Sequence, residues 1–151
     1  MNDEYFLKEA LKEAKKAYLK DEVPVGCVIV SDGKIVARSH NLRETKKNVL
    51  CHAEVIAINK ACKKLGQKFL DGSTIYITLE PCIMCCGAII QSRIKKIVYG
   101  AKEPKFGCLE SLGNILNDYK FNHSVEVVGG VLEDETSQIM KDFFKEKRMK
   151  K

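Results

Sequence analysis

Apolar residues recur three or four positions apart in several segments of the chain. Near the N-terminus, Leu7, Ala10, Leu11 and Ala14 follow this spacing, which predicts an amphipathic helix from about Asp3 to Lys20. The same spacing predicts a second helix in AEVIAINKACKKLG, where Gly66 is placed to end it. A third helix is expected to begin at Pro81 and run through CIMCCGAIIQS, and a fourth to cover about 133–151.

Short apolar, β-branched segments lie between the predicted helices. Five of them predict strands: VPVGCVIV, KIVARS, TIYITL, IKKIVYG and VEVVGGV. Asp32-Gly33 separates the first two and suits a tight hairpin turn. Residues 101–124 form a long connection with one short helix expected around SLGNILND. Strands that alternate with helices predict an α/β fold, a three-layer α/β/α sandwich, as one domain over residues 1–151.

Composition narrows the classes of function. No apolar run approaches the roughly 20 residues that cross a bilayer, and the charged N-terminal segment does not resemble a secretory signal, so a cytoplasmic protein without a membrane partner is expected. Seven cysteines in such a chain favour metal binding or burial over disulfides. The net charge is +6, and the last eleven residues hold six basic and two acidic side chains. This tail is either a solvated helix end or a surface for nucleic acid.

Two segments carry residues typical of a zinc site. His52 lies at the predicted start of one helix, and Cys82 and Cys85 lie at the start of another, where the helix dipole favours thiolates. One imidazole and two thiolates leave the fourth tetrahedral position of zinc free for water, as in catalytic zinc sites. Glu54, two residues after His52, is then a candidate to move protons without binding the metal.

Two other interpretations of these cysteines have to be weighed. A redox Cys-x-x-Cys pair would leave His52 and Glu54 without a role. Cys86 lies four residues after Cys82, and spacings of three and four both stay on one helix face. Spacing alone therefore leaves Cys85 and Cys86 as alternatives for the second sulfur ligand.

The chain resembles a known enzyme family in several blocks. His-x-Glu followed by Pro-Cys-x-x-Cys is the signature of zinc nucleobase deaminases. EVPVGCVIV, HAEVIAI, TLEPCIMCCGAIIQSRI, IVYGA and DFFKEKR together are similar to bacterial tRNA-specific adenosine deaminases, over about residues 22–148. The resemblance implies the cytidine deaminase-like fold with a five-stranded mixed sheet, and one Zn²⁺ per chain held by His52, Cys82 and Cys85. It also implies that Glu54 is the proton shuttle.

The resemblance further implies a reaction and partners. The expected reaction converts the wobble adenosine of a tRNA anticodon to inosine, with the tRNA anticodon stem-loop as substrate and a homodimer as the assembly. Candidate substrate contacts implied by the family are Asn41, Lys102, Lys105, Asn122, His123, Phe144, Lys145 and Arg148. Without the family, HNLRE would be interpreted as a polar turn. Phe143 is expected in the core and Phe144 near RNA, while Phe106 and Glu110 depart from the family pattern.

Two alternative functions share these motifs. A guanine or cytosine deaminase acting on a free base or nucleoside would use the same zinc site, but it has no electrostatic reason to keep a basic last helix. A non-catalytic zinc protein that binds RNA or serves as a partner subunit would gain nothing from the unligated carboxylate of Glu54. A wobble-adenosine deaminase is therefore the function that the sequence predicts.

Overall fold

A five-stranded mixed sheet forms the centre of the protein. The computed structural model describes residues 1–150, and the strands are β1 (Gly26–Ser31), β2 (Lys34–His40), β3 (Thr74–Leu79), β4 (Lys96–Ala101) and β5 (Glu126–Val128). Their order is β2-β1-β3-β4-β5. β1 is antiparallel to both β2 and β3, whereas β3, β4 and β5 are parallel. The predicted mixed sheet is confirmed.

Helices cover both faces of this sheet. They are α1 (Asp3–Leu19), α2 (Ala53–Leu65), α3 (Ile83–Gln91), the short α4 (Ile115–Asp118) and α5 (Glu133–Met149). Side chains of α2 and α3 pack against alternate strand residues in one apolar cluster. The remaining strand residues face the opposite side of the sheet and pack against α1 in a second cluster. Leu132, at the start of α5, packs against this second cluster. Two apolar clusters on opposite faces confirm the predicted three-layer arrangement. Within residues 1–150, we find no helix with the length and apolarity needed to span a bilayer.

Two turns have the backbone geometry that their residues predict. Asp32 and Gly33 both have positive φ, 50° and 75°, as a two-residue hairpin with the right-handed twist of the flanking strands requires. Gly66 ends α2 in the left-handed conformation, with φ 65°. The hairpin between β1 and β2 and the end of α2 are therefore fixed by local sequence.

Some predicted boundaries are wrong. The third helix begins at Ile83 rather than at Pro81, because Cys82 is an extended N-cap residue that pairs with Gly107. The first strand begins at Gly26 rather than Val23, at a point where the backbone lies against α1; a Cβ on Gly26 would be 1.9 Å from the Ala10 carbonyl oxygen. The last helix ends at Met149, and Lys151 lies outside the described residues.

The buried carboxylate of Glu80 holds the connection that follows β4. Glu80 is 2% exposed and accepts hydrogen bonds from the backbone amides of Glu103, Leu109, Glu110 and Ser111 at 2.7–3.0 Å, and from the Ser111 hydroxyl. Burial raises its pKa, but the hydrogen bonds from the Ser111 side chain and from the backbone outweigh that effect and hold the pKa below its usual value. One side chain therefore holds the segment 103–111 of this connection beside the end of β3.

We expect Glu80→Gln to loosen the loop over 103–111 and to reduce the free energy of unfolding by about 3 kcal/mol, because an amide replaces one oxygen and leaves buried donors unpaired. The anionic form contributes stability above a pH of about 4, and this contribution is lost as pH falls through the lowered pKa of Glu80. Thermal unfolding from pH 7 to pH 3 should therefore show a gap between parent and variant that narrows in acid.

Glu103→Gln is the matched control for this measurement. Glu103 lies in the same loop, and its carboxylate accepts one exposed hydrogen bond, from the Lys105 amide. Its variant should unfold within about 0.5 kcal/mol of the parent. Equal losses for the two variants would contradict the anchoring role of Glu80.

Candidate metal and catalytic site

The N-termini of α2 and α3 meet at one edge of the sheet. His52 is the N-cap residue of α2 and Cys82 is the N-cap residue of α3, and neither side chain caps its own helix. His52 Nδ1 lies 3.7 Å from Cys82 Sγ and 3.5 Å from Cys85 Sγ. These three ligand atoms all lie within 4.8 Å of one another. The predicted trio therefore converges in space and forms a site that can hold a metal ion.

The charges within this trio favour metal binding by Cys82. A hydrogen bond from the Cys85 thiol, followed by one from His52, lowers the pKa of Cys82 to about 4. The hydrogen bond with Cys82 raises the pKa of His52, and the same neighbour together with burial raises the pKa of Cys85. One sulfur is thus a thiolate near neutral pH, which is the form that binds metals.

Glu54 lies in the first turn of α2 and is only 4% exposed. Burial raises the pKa of its carboxyl group, and the side chain lies within hydrogen-bond reach of Cys85. It is not a member of the ligand trio. A carboxyl group with a raised pKa beside a metal-binding site is suited to accept and return protons.

Cys85 and Cys86 lie in different environments. Cys86 is 1% exposed, belongs to the apolar cluster under α2 and α3, and donates its thiol to the Pro81 carbonyl at 3.7 Å. Burial raises its pKa, which disfavours a thiolate. Of Cys85 and Cys86, the two candidates for the second sulfur ligand that the sequence left open, only Cys85 belongs to the trio.

Asn41 lies just after β2 and is 8% exposed. Its amide donates to the Val23 carbonyl at 3.3 Å, and its side-chain oxygen accepts from the Arg43 amide at 3.1 Å. Both polar ends of the side chain thus stabilise the turn that leads toward His52. Contact with a base stays a prediction for this residue.

The predicted contacts in the long connection lie in different surroundings. Lys102 forms an ion pair with Glu110 at 3.0 Å, and the Tyr99 hydroxyl donates to the same carboxylate at 2.7 Å. His123 hydrogen-bonds to the Ile94 carbonyl at 2.7 Å. Lys105 and Asn122 are exposed. Glu110, which departs from the family pattern, therefore neutralises one of the cations expected to meet RNA.

The C-terminal helix has one buried and one exposed aromatic ring. Phe143 is 4% exposed and packs against Tyr18 of α1, as predicted, while Phe144 is 43% exposed and contacts Phe143 edge to face. Lys145 and Arg148 are exposed. Lys147 pairs with Asp21 at 2.8 Å, so part of the basic tail is neutralised within the protein.

Sequence reasoning missed two buried carboxylates that hold the loops beside the site. Besides Glu80, Glu22 is fully buried and accepts the backbone amides of Glu44 and Thr45 at 2.9 and 2.6 Å. The available signal for Glu80 was an acidic residue directly after the apolar strand TIYITL. No such pattern marks Glu22, because it follows a charged helix end.

Several large apolar side chains are exposed in the segments that flank the site. They precede His52, follow Cys82 or lie on the loop held by Glu80: Val49, Leu50, Ile83, Phe106 and Leu112, each at least 55% exposed. Exposed apolar side chains that gather in a patch mark interaction surfaces. The metal-binding trio therefore lies among side chains suited to contact another molecule.

Comparisons with known proteins agree with these features. Residues 1–148 match the model of the MafB19-like deaminase family. The tRNA-specific adenosine deaminase of Bacillus subtilis (strain 168) is 54% identical over 149 residues, covering 99% of this chain and 92% of that protein. The protein of the same name from Aquifex aeolicus (strain VF5) is 47% identical over 148 residues, covering 98% of this chain and 97% of that protein.

Solved structures give the same result. One from a study of A-to-I editing by tRNA:A34 deaminases superposes with a TM-score of 0.86 at 42% identity, covering 89% of this chain and 98% of that one. The guanine deaminase from Nitrosomonas europaea shares the fold, with a TM-score of 0.81 at 21% identity, covering 93% of this chain and 83% of that one. The chain belongs to the MafB19-like deaminases and, with these close relatives, to the tRNA-specific adenosine deaminases.

Proposed function

We propose that this protein is a hydrolase that deaminates the wobble adenosine of a tRNA anticodon to inosine. The observation that carries the proposal is the convergence of His52, Cys82 and Cys85 beside the buried, unligated carboxyl group of Glu54. Relatives at 43–54% identity over nearly the whole chain carry the name tRNA-specific adenosine deaminase. The likeness to guanine deaminase, at 21% identity, extends to the fold alone. We also propose a cytoplasmic location, because the proposed substrate is a tRNA.

The metal proposed for the site is one zinc ion per chain. Zinc binds thiolate sulfur at about 2.3 Å and imidazole nitrogen at about 2.0 Å in a tetrahedron, so a bound sulfur and nitrogen lie about 3.5 Å apart. The separations of His52 Nδ1 from the two sulfurs are 3.5 and 3.7 Å. The donor set and its spacing fit zinc. When bound, zinc acts as a Lewis acid and lowers the pKa of water.

Glu54 performs the proton transfers in the proposed mechanism. Water adds to the purine carbon that bears the amino group, and its proton passes to the Glu54 carboxylate. Glu54 then gives this proton to a ring nitrogen, takes the second proton from the added hydroxyl group and passes it to the amino group, which leaves as ammonia while the carbonyl of inosine forms. The raised pKa of its carboxyl group, caused chiefly by burial, lets it hold a proton between these transfers. Adenosine and water are thereby converted to inosine and ammonia.

The RNA contacts and the assembly are also proposals. Lys105, Asn122, Phe144, Lys145 and Arg148 are accessible enough to meet an anticodon stem-loop by stacking and phosphate contacts. Lys102 can do so after exchanging its partner Glu110. A homodimer is supported by the exposed apolar side chains around the metal-binding trio, which a second copy or an RNA base would cover.

The direct test is to incubate the purified protein with a short anticodon stem-loop that carries a wobble adenosine and to measure inosine by mass spectrometry of the nucleosides. We expect stoichiometric conversion at the wobble position and no change in a matched RNA with guanosine there. Guanine, cytosine and their nucleosides are assayed in parallel. Ammonia release from one of these compounds, with an unchanged stem-loop, would contradict the proposal.

Single cysteine variants test which sulfurs hold the metal. Cys85→Ala removes one of three ligands, so zinc content should fall from about one per chain to a small fraction after dialysis. Cys86→Ala is the matched control: it removes a neighbouring thiol from the core, costs about 1 kcal/mol or more of stability, and should keep its zinc. Metal analysis with the opposite outcome would place the ligand one residue later.

A further inference from the structure

Five exposed basic side chains gather at the C-terminal ends of α2 and α3. We call them the helix-end cluster: Lys63, Lys64, Lys68, Arg93 and Lys95. The two segments that carry them are joined by backbone hydrogen bonds from Leu70 to Ser92 and from Lys95 to Ser73. Together, residues 60–72 and 91–95 hold six basic side chains and one acidic side chain. The folded protein therefore has a second concentration of positive charge, apart from its C-terminal tail.

Phe69 brings two of these cations together. Arg93 Cζ lies 3.8 Å and Lys68 Nζ 4.9 Å from the centre of its ring. Within residues 1–150, no member of the helix-end cluster forms a salt bridge. On α1, by contrast, lysines pair with glutamates three or four residues away. The five cations of the helix-end cluster are thus without a carboxylate at salt-bridge distance in the described residues, and the two segments carry a net positive charge.

The backbone of Arg93 is strained. It follows the last turn of α3 with φ 61°, the left-handed conformation that favours glycine. Gly66 occupies the corresponding place after α2, with φ 65°. The amides of Arg93 and Ile94 bond to the Ile90 and Ile89 carbonyls as in a glycine-terminated helix. An arginine thus occupies a position that favours glycine, and its guanidinium lies over the Phe69 ring.

The charge and position of the helix-end cluster fit a phosphate backbone. α2 has 13 residues, which at about 1.5 Å per residue separates the cluster from His52 by about 20 Å. In a nucleic-acid duplex the phosphates of one strand succeed one another about every 3.4 Å along the helix axis, so a stem of about six base pairs spans this distance. We propose that the helix-end cluster binds phosphates of the substrate tRNA outside its anticodon loop. This inference rests on the proposed function.

The test compares two variants that remove the same charge. Arg93→Gly with Lys68→Gln removes two cations from the cluster and gives the strained position its preferred residue. Lys15→Gln with Lys34→Gln is the control, because both lysines are exposed and lie on other parts of the surface. The affinity for a full-length tRNA transcript with a wobble adenosine is measured by fluorescence anisotropy at several salt concentrations.

We expect the slope of log affinity against log salt to become shallower by roughly 1.4 to 1.8 in the cluster variant, since each lost phosphate contact removes about 0.7 to 0.9. The control should keep the slope of the parent. Zinc content and turnover at saturating tRNA should be unchanged in both. With a stem-loop too short to reach the cluster, the cluster variant and the control should bind equally.

Equal salt slopes for the cluster variant and the control on full-length tRNA would overturn the proposal. If Arg93 served only to end α3, Arg93→Gly would change the thermal midpoint and leave the slope alone. Inosine formation by the parent protein is a separate readout. Its absence would contradict the proposed function, whereas the salt slope decides the role of the helix-end cluster.

Discussion

The meeting of two helix N-termini at one edge of the sheet is the constraint on which the site depends. His52 and Cys82 are both N-cap residues. The helix after His52, α2, starts where the loop after β2 ends, and the helix after Cys82, α3, starts shortly after β3. Neither side chain forms a hydrogen bond with the first turn of its own helix, and the His52 imidazole and the Cys82 sulfur instead lie close to each other across the gap between the helices. The separation of 3.5–3.7 Å between imidazole and sulfur is a result of this arrangement.

Two buried carboxylates hold the loops beside that edge. Glu22 binds backbone amides of the loop that leads to α2, and Glu80 binds those of the loop after β4. Gly107 approaches Glu80 so closely that a Cβ would lie 2.3 Å from its carboxyl carbon, and Gly107 also pairs with Cys82. The segment that carries Cys82, the carboxylate of Glu80 and the loop after β4 are thus parts of one packed unit.

The sequence predicted the features that depend on local chemistry. Asp32-Gly33 and Gly66 determine turns by their own conformational preferences, and His-x-Glu with Pro-Cys-x-x-Cys carries a known metal chemistry. Contacts between distant segments were not predictable in this way. The start of α3 after Pro81 depends on pairing with Gly107, and the neutralisation of Lys102 depends on Glu110. The helix-end cluster forms only because residues 63–68 and 93–95 meet in the fold.

The proposed mechanism divides two roles: His52, Cys82 and Cys85 hold the metal, and Glu54 moves the protons. It is tested most directly with Glu54→Gln, by measuring zinc per chain, tRNA affinity and the single-turnover rate of inosine formation on the same preparation. We expect about one zinc per chain, unchanged affinity for tRNA and a single-turnover rate reduced by about 10² to 10⁴ or more. A variant that keeps both its zinc and nearly the full rate would contradict it.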